Sequence, residues 1–187
     1  FADKGLVGRD AFLQAARDRQ LLEEFGIGGE SFEGYLYPDT YRFAENTTAP
    51  HIVRRMHERW KGVWKTIKHE HAESLGRLRQ TYGFDRHDLV TLASLVEAET
   101  RLKSERPIVA RVMLNRIDEG MRLQTDPTCV YGPDTYDKVP TPDLCNDPSN
   151  RYSTYVIDGL PPGPIGNPGR TSLAAALDPA TGEDVEQ

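Results

Sequence analysis

From Pro50 to about Tyr82, Ile52, Val53, Met56, Trp60, Val63, Trp64, Ile67, His71, Leu75 and Leu78 recur near helical spacing, with charged residues between them. So long a stripe, flanked by charge, has to be covered along its whole length by other elements. It predicts one long helix that acts as a packing arm. A shorter amphipathic helix is predicted upstream, from Arg9 to Phe25, with Phe12, Ala15, Ala16, Arg19 and Leu22 setting the pattern. Gly26 and the pair Gly28 and Gly29 end it.

Further helices follow Tyr82. Asp85, with Asp88 three residues on, has the form of a capping box. Beyond it Leu89, Leu92, Ala93 and Val96 make a buried stripe. Glu97 and Glu99 border that stripe on opposite flanks, and periodicity does not choose which of them faces a cleft. A carboxyl half withdrawn from water is pushed toward its neutral form, as a general acid working near neutral pH requires. Ser104 is expected to cap the next helix, with Pro107 in its first turn, Ile108, Val112, Met113 and Ile117 inward, and Gly120 as its stop.

The alternation in Leu123-Gln124-Thr125-Asp126 reads as a strand that puts the Gln124 and Asp126 side chains on one face. The aromatic stretch from Ser31 to Phe43, with Phe32, Tyr35, Tyr37 and Tyr41, fits a stacking surface for sugars and equally an aromatic β-ribbon burying its own core. Residues 133–150 read as a long surface loop. Tyr152 to Tyr155 precede a stiff run from Gly159 to Gly169, whose prolines hold it in place and whose glycines let a ligand approach the backbone. A short Ala-rich helix from Ser172 to Leu177 is stopped at Pro179.

The 187 residues suffice for one domain with a sizeable core, and 37% hydrophobic with 28% charged residues is a globular balance. No apolar run approaches the ~20 residues that cross a bilayer. A net charge of −6 without basic clusters argues against nucleic acid as a partner. His69-Glu70-His71 points its imidazoles to different sides of a helix, so no metal site is expected there. The chain opens at Phe1 with neither initiator Met nor leader, which suggests a processed or excised piece with any targeting segment upstream.

In order, Glu33 to Tyr41, Leu92 to Thr100, Asn115-Arg116, Met121 to Thr128 with Tyr131-Gly132, Tyr152 to Tyr155, and Gly159 to Gly169 resemble the endolytic murein transglycosylase (MltG, YceG-like) family. The resemblance covers most of residues 31–179. It implies a bacterial envelope enzyme that cuts nascent peptidoglycan glycan strands, with cell-wall synthases as possible partners. It also implies an upstream membrane anchor that places the catalytic domain on the extracytoplasmic, periplasmic face. A catalytic glutamate falls by the motif on Glu97, the first acid of Val-Glu-x-Glu-Thr, which leaves Glu99 as a structural acid paired with Arg106 or Arg101.

The chain has Ser153 where the family usually has Asn, lacks the family's small LysM-like module, and stops before a His-containing segment. The C-terminal part is therefore expected to be incomplete. The reading divides the chain into a helical and aromatic portion, 1–84, and a catalytic core, 85–187, within one continuous domain. Its expected fold class is α+β, with N-terminal helices beside a small mixed or antiparallel sheet that carries a glycan groove.

The reaction implied is lytic transglycosylation of the bond between N-acetylmuramic acid and N-acetylglucosamine, giving 1,6-anhydro ends and needing no cofactor. Asn115, Gln124, Thr154 and Tyr155 are candidates for holding acetamido and hydroxyl groups, and Tyr152 for stacking. Ordinary core hydrogen bonding suits Asn115 and Tyr155 as well. Asp126 is the rival second carboxylate, which with Glu97 would make a hydrolytic muramidase. A non-catalytic glycan-binding or scaffold module is the alternative of another class. The oxidising compartment that the resemblance suggests, with Cys129 and Cys145 bracketing the 131–143 loop, points to a disulfide.

Overall fold

The computed structural model describes residues 6–132, 135–136 and 138–181. Among them the chain forms nine helices: α1 (Arg9–Ala16), α2 (Arg19–Glu24), α3 (Ala49–Glu70), α4 (Ala72–Tyr82), α5 (Arg86–Glu99), α6 (Arg106–Asp118), α7 (Asp126–Cys129), α8 (Pro142–Cys145) and α9 (Arg170–Leu177). Two expected helices are each divided. Asp18 interrupts the first and caps α2, its carboxylate accepting from the Leu21 amide at 2.9 Å. His71 interrupts the long arm, leaving the helical region to bond Asp178, which also accepts from Ser74.

At the centre lies α5. Its capping box forms as the sequence predicts: Asp85 accepts from the His87 and Asp88 amides, and Asp88 accepts from the Asp85 amide at 2.8 Å. Every residue from Leu89 to Val96 is buried, so the helix is enclosed all round rather than along the single stripe expected. α6, α7 and α9 surround it, and α9 also packs on α3 and α4. The core takes residues from both portions of the chain, from Leu22, Phe32 and Trp60 to Leu114, Leu123 and Leu173.

The expected α+β architecture is not what forms: no strand occurs among the described residues. In the aromatic stretch several amides go to separate parts of the chain, and Tyr35 N turns back to Phe32 O. Phe32 N donates to Ala16 O, Tyr37 N to Met56 O and Leu36 N to the Asn167 side chain, so no ladder can run. At Leu123 to Asp126 the alternation survives as burial, with Leu123 and Thr125 inside and Gln124 and Asp126 outside. The strand does not. Gln124 turns to φ 50°, Thr125 N is taken by the Thr154 hydroxyl, and Asp126 already begins α7.

Ser104 does not cap α6. That position falls on Glu105, whose side chain makes no capping bond. The surface loop expected over 133–150 carries the one-turn helix α8, while residues 133, 134 and 137 lie outside the described residues. Cys129 and Cys145 are joined by a disulfide. No helix among the described residues is long and apolar enough to cross a membrane.

Candidate active site

The last turn of α5 presents two carboxylates to different surroundings. Glu97 receives the buried Arg106 guanidinium, Nη2 to Oε1 at 2.7 Å, and the Gly169 amide on Oε2 at 2.9 Å. Arg106 also donates to the Thr171 hydroxyl. Both Glu97 oxygens are therefore committed, and they join the end of α5 to the starts of α6 and α9. The arginine expected to pair with Glu99 pairs with Glu97 instead.

Glu99 turns the other way. Crowding by its surroundings, with the charge of Asp126 second, raises its carboxyl above the usual range, while Arg116 pulls in the opposite direction. The residue stands at the surface, so the crowding is partial. The C-terminal end of a helix, which carries partial negative charge, disfavours an ionised carboxylate in the same sense. Around it stand Asp126 and Tyr155, whose hydroxyl donates to Asp126 Oδ1 at 2.6 Å, an interaction that raises the phenol. Arg116 is fixed in turn by donating to the Leu123 carbonyl.

Gln124 and Asp126 are both exposed two residues apart, and Gln124 has the one positive φ of a non-glycine among the described residues. A side chain held in that region is strained, a feature that recurs at binding sites. The strain is held by Gln124 N donating to Thr154 O at 3.0 Å.

The expected site residues thus divide three ways. Gln124, Asp126 and Tyr155 belong to the surface about Glu99, and Asn115 is exposed on α6, one residue before Arg116. Thr154 is wholly buried. Its hydroxyl meets those of Thr125 and Thr128 at 3.1 and 3.0 Å and accepts from Thr125 N, so it pins 125–128 to 152–155 from inside. Tyr152 lies against Tyr131, ring centroids 4.6 Å apart, in a second cluster with Glu33. Ser153 is buried, its hydroxyl donating to the Cys145 carbonyl at 2.6 Å.

Sequence reasoning missed the roles of Arg106 and Arg116, since a cation's partner depends on which helix faces it. Among the described residues no group of His, Cys, Asp and Glu could hold a metal ion.

A central buried helix thus ends in two acids with unlike partners, beside a stiff Gly/Pro segment. Residues 4–185 match the model of the YceG-like family, and the chain belongs to that family. It is 38% identical over 149 residues to the endolytic murein transglycosylase of Bacillus subtilis (strain 168), spanning 79% of this chain and 39% of that one. With the protein of the same name from Streptococcus pneumoniae serotype 2 it shares 26% identity, over 82% of this chain and 27% of the relative. The chain thus spans well under half the length of these curated relatives. The crystal structure of a yceG-like protein from Listeria monocytogenes superposes with a TM-score of 0.74 at 28% identity, covering 91% of this chain and 57% of that one.

Proposed function

We propose that this chain is the catalytic part of a lytic transglycosylase that cuts peptidoglycan glycan strands, with Glu99 as its general acid and base. The family membership and the names of the relatives supply the activity and the substrate class. The observation that carries the assignment to Glu99 is the contrast between the two acids. Glu97 has both oxygens engaged by Arg106 and Gly169, whereas Glu99 has its proton favoured by crowding and by Asp126. An acid catalyst needs a proton and an oxygen open to substrate.

In this reading Glu99 protonates the oxygen between N-acetylmuramic acid and N-acetylglucosamine. The bond to C1 of the muramic residue breaks, and the positive charge there is met by the substrate's own acetamido oxygen. The C6 hydroxyl of the same sugar attacks C1, and ionised Glu99 takes its proton, which restores the acid and closes the 1,6-anhydro ring. A nucleophile already held near C1 carries an intramolecular advantage. Gln124 and Asn115 are the proposed partners of acetamido and hydroxyl groups. Tyr155 is the proposed contact of the sugar beside Asp126. The whole protein would act in the cell envelope, anchored at the extracytoplasmic face of the membrane and adjacent to cell-wall synthases.

The influence of Asp126 on Glu99 favours one second reading, hydrolysis, in which Asp126 activates water or acts as nucleophile. Digestion of a defined glycan strand in oxygen-18 water separates the two. Anhydromuramic ends without heavy oxygen are expected. Reducing muramic ends carrying oxygen-18 would establish the hydrolase, and binding without turnover would leave a glycan-binding module.

A further inference from the structure

Beyond Leu36 the 31–43 stretch leaves the core and runs beside α3, where Tyr37 N donates to Met56 O. Between the two lies a cleft of about 360 Å³, room for a small ligand, bordered by Asp39 and Tyr41 and, from α3, by Arg55, Glu58, Arg59 and Gly62. We propose that this cleft binds the peptide carried by a peptidoglycan strand while Glu99 acts on the strand itself, with Arg55 donating to a carboxylate of the peptide and Glu58 accepting from its free ammonium group.

The charges define the ligand. Arg59 is already matched: its Nε donates to Asp39 Oδ2 at 2.9 Å, and its guanidinium lies 5.4 Å from the centre of the Tyr37 ring. Arg54, one residue before Arg55, is engaged by Glu24. Among the described residues the side chains of Arg55 and Glu58 make no hydrogen bond or ion pair, although both border the cleft as i, i+3 neighbours on one helix face. Two cations and two carboxylates leave the cleft without net charge, so it selects neither a polyanion nor a metal cation. One charge of each sign stands open, and a ligand that carries both an ammonium and a carboxylate complements the pair.

The walls suit a peptide body. Tyr41 is half-buried, stacked on Phe43 with ring centres 5.9 Å apart, and its hydroxyl donates to Tyr37 O at 2.7 Å, so its ring is a held apolar surface. On α3, Gly62 leaves bare backbone facing the cleft. Packing does not require that glycine, since a Cβ there would meet nothing within 4 Å, and glycine weakens a helix interior. The reach also fits. Leu36 N donates to the side chain of Asn167, in the Gly/Pro segment whose Gly169 meets Glu97, and from Leu36 to Asp39 the chain cannot exceed about 11 Å. A peptide of about five residues extends to roughly 18 Å, so a strand held near that segment can place its peptide in the cleft. Cross-linking turns the free ammonium of such a peptide into an amide. That removes the partner of Glu58 and makes the cleft selective for peptides not yet cross-linked.

This inference rests on the glycan-cleaving reading. Its test is calorimetric titration of the chain with an N-terminally acetylated stem peptide that keeps the side-chain ammonium of its diamino acid and its carboxylates. Two further peptides have either the carboxylates amidated or the side-chain ammonium acetylated. Wild type should bind the first peptide, and Arg55→Gln and Glu58→Gln should each weaken it roughly 3- to 30-fold. Amidation should cost as much and leave Arg55→Gln without further effect, and acetylation of the ammonium should do the same for Glu58→Gln. Gly62→Leu fills the cleft with a better helix former, so it should abolish binding while raising the melting temperature. All three variants should turn over peptide-free strands as wild type does. No binding by wild type at millimolar peptide, losses that add instead of overlapping, or binding retained in Gly62→Leu would overturn the site, while strand turnover by the same protein kept the parent reading intact. Peptide binding without any strand turnover would instead overturn the parent reading and, with it, the strand as carrier of the peptide.

Discussion

Glu97 and Glu99 are one residue apart from being neighbours, yet substitution should affect them in opposite ways. Glu97→Gln replaces an acceptor with an amide and leaves the buried Arg106 charge poorly matched, which should cost roughly 1–3 kcal/mol, moderated because the Glu97 side chain is 35% exposed. Glu99→Gln removes the proton and touches no comparable bond. Its turnover should fall on the order of 100- to 10,000-fold with the melting temperature unchanged. Calorimetry with a strand-cleavage assay reads both. Normal turnover in Glu99→Gln, or full loss in a stably folded Glu97→Gln, would return the catalytic role to Glu97.

The same site makes a pH prediction. A general acid loses activity as pH rises through its pKa, and the Asp126 charge raises that of Glu99. Asp126→Asn should therefore move the alkaline limb of kcat/KM to lower pH, and an unmoved limb would remove Glu99 as the titrating group. His57 supplies the stability counterpart. It is wholly buried among Phe25, Phe32 and Trp60, its Nδ1 donates to Tyr35 O, its Nε2 has no partner, and burial holds its pKa at about 4 against 6.5 unfolded. Between those values the unfolded chain binds the proton and the folded one does not, so stability should decline from about pH 6.5 to pH 4, by roughly 3 kcal/mol in all. In His57→Gln this part of the pH dependence, followed by urea titration, should disappear.

At the scale of elements, two devices hold the site loops. The disulfide closes the segment between α7 and α8, with a sequence separation of 16 residues. In the chain-entropy model, Cys129→Ser with Cys145→Ser should lower stability by roughly 3 kcal/mol, and two alkylated thiols without reductant would show that the bridge is not there. The second device is the docking of the 31–43 stretch on the Gly/Pro loop. Gly34 sits at φ 84°, and a Cβ there would lie 2.5 Å from Pro164 and 2.7 Å from Val90. Gly34→Ala should destabilise by more than ~1 kcal/mol, since strain adds to the clash. A melting temperature equal to wild type would show that the contact is not tight.

Across the whole molecule, one core passes through α1, α3, α5, α6 and α9, so the 1–84 and 85–187 portions have no separate interiors. Unfolding should be one transition. Trp60 and Trp64 on α3 report the first portion by fluorescence, while far-ultraviolet circular dichroism reports all nine helices. The two curves should coincide, and a fluorescence transition resolved from the dichroic one would divide the portions.

What the sequence by itself determined is what near neighbours decide: the capping box of α5, the stop of α6 at Gly120, the stripe of α3 and the alternation of exposure from Leu123 to Asp126. Order along the chain also carried the family resemblance. Tertiary structure decided the rest. A strand exists only if another backbone offers a ladder, and at Thr125 the partner was a threonine hydroxyl instead. Which surroundings a glutamate has depends on what meets it. Glu97 met Arg106 and Gly169, and Glu99 met Asp126 and Arg116. Two residues' separation on a helix puts them on nearly opposite sides, and only the packing of α6, α7 and α9 about α5 determined which side held which partner.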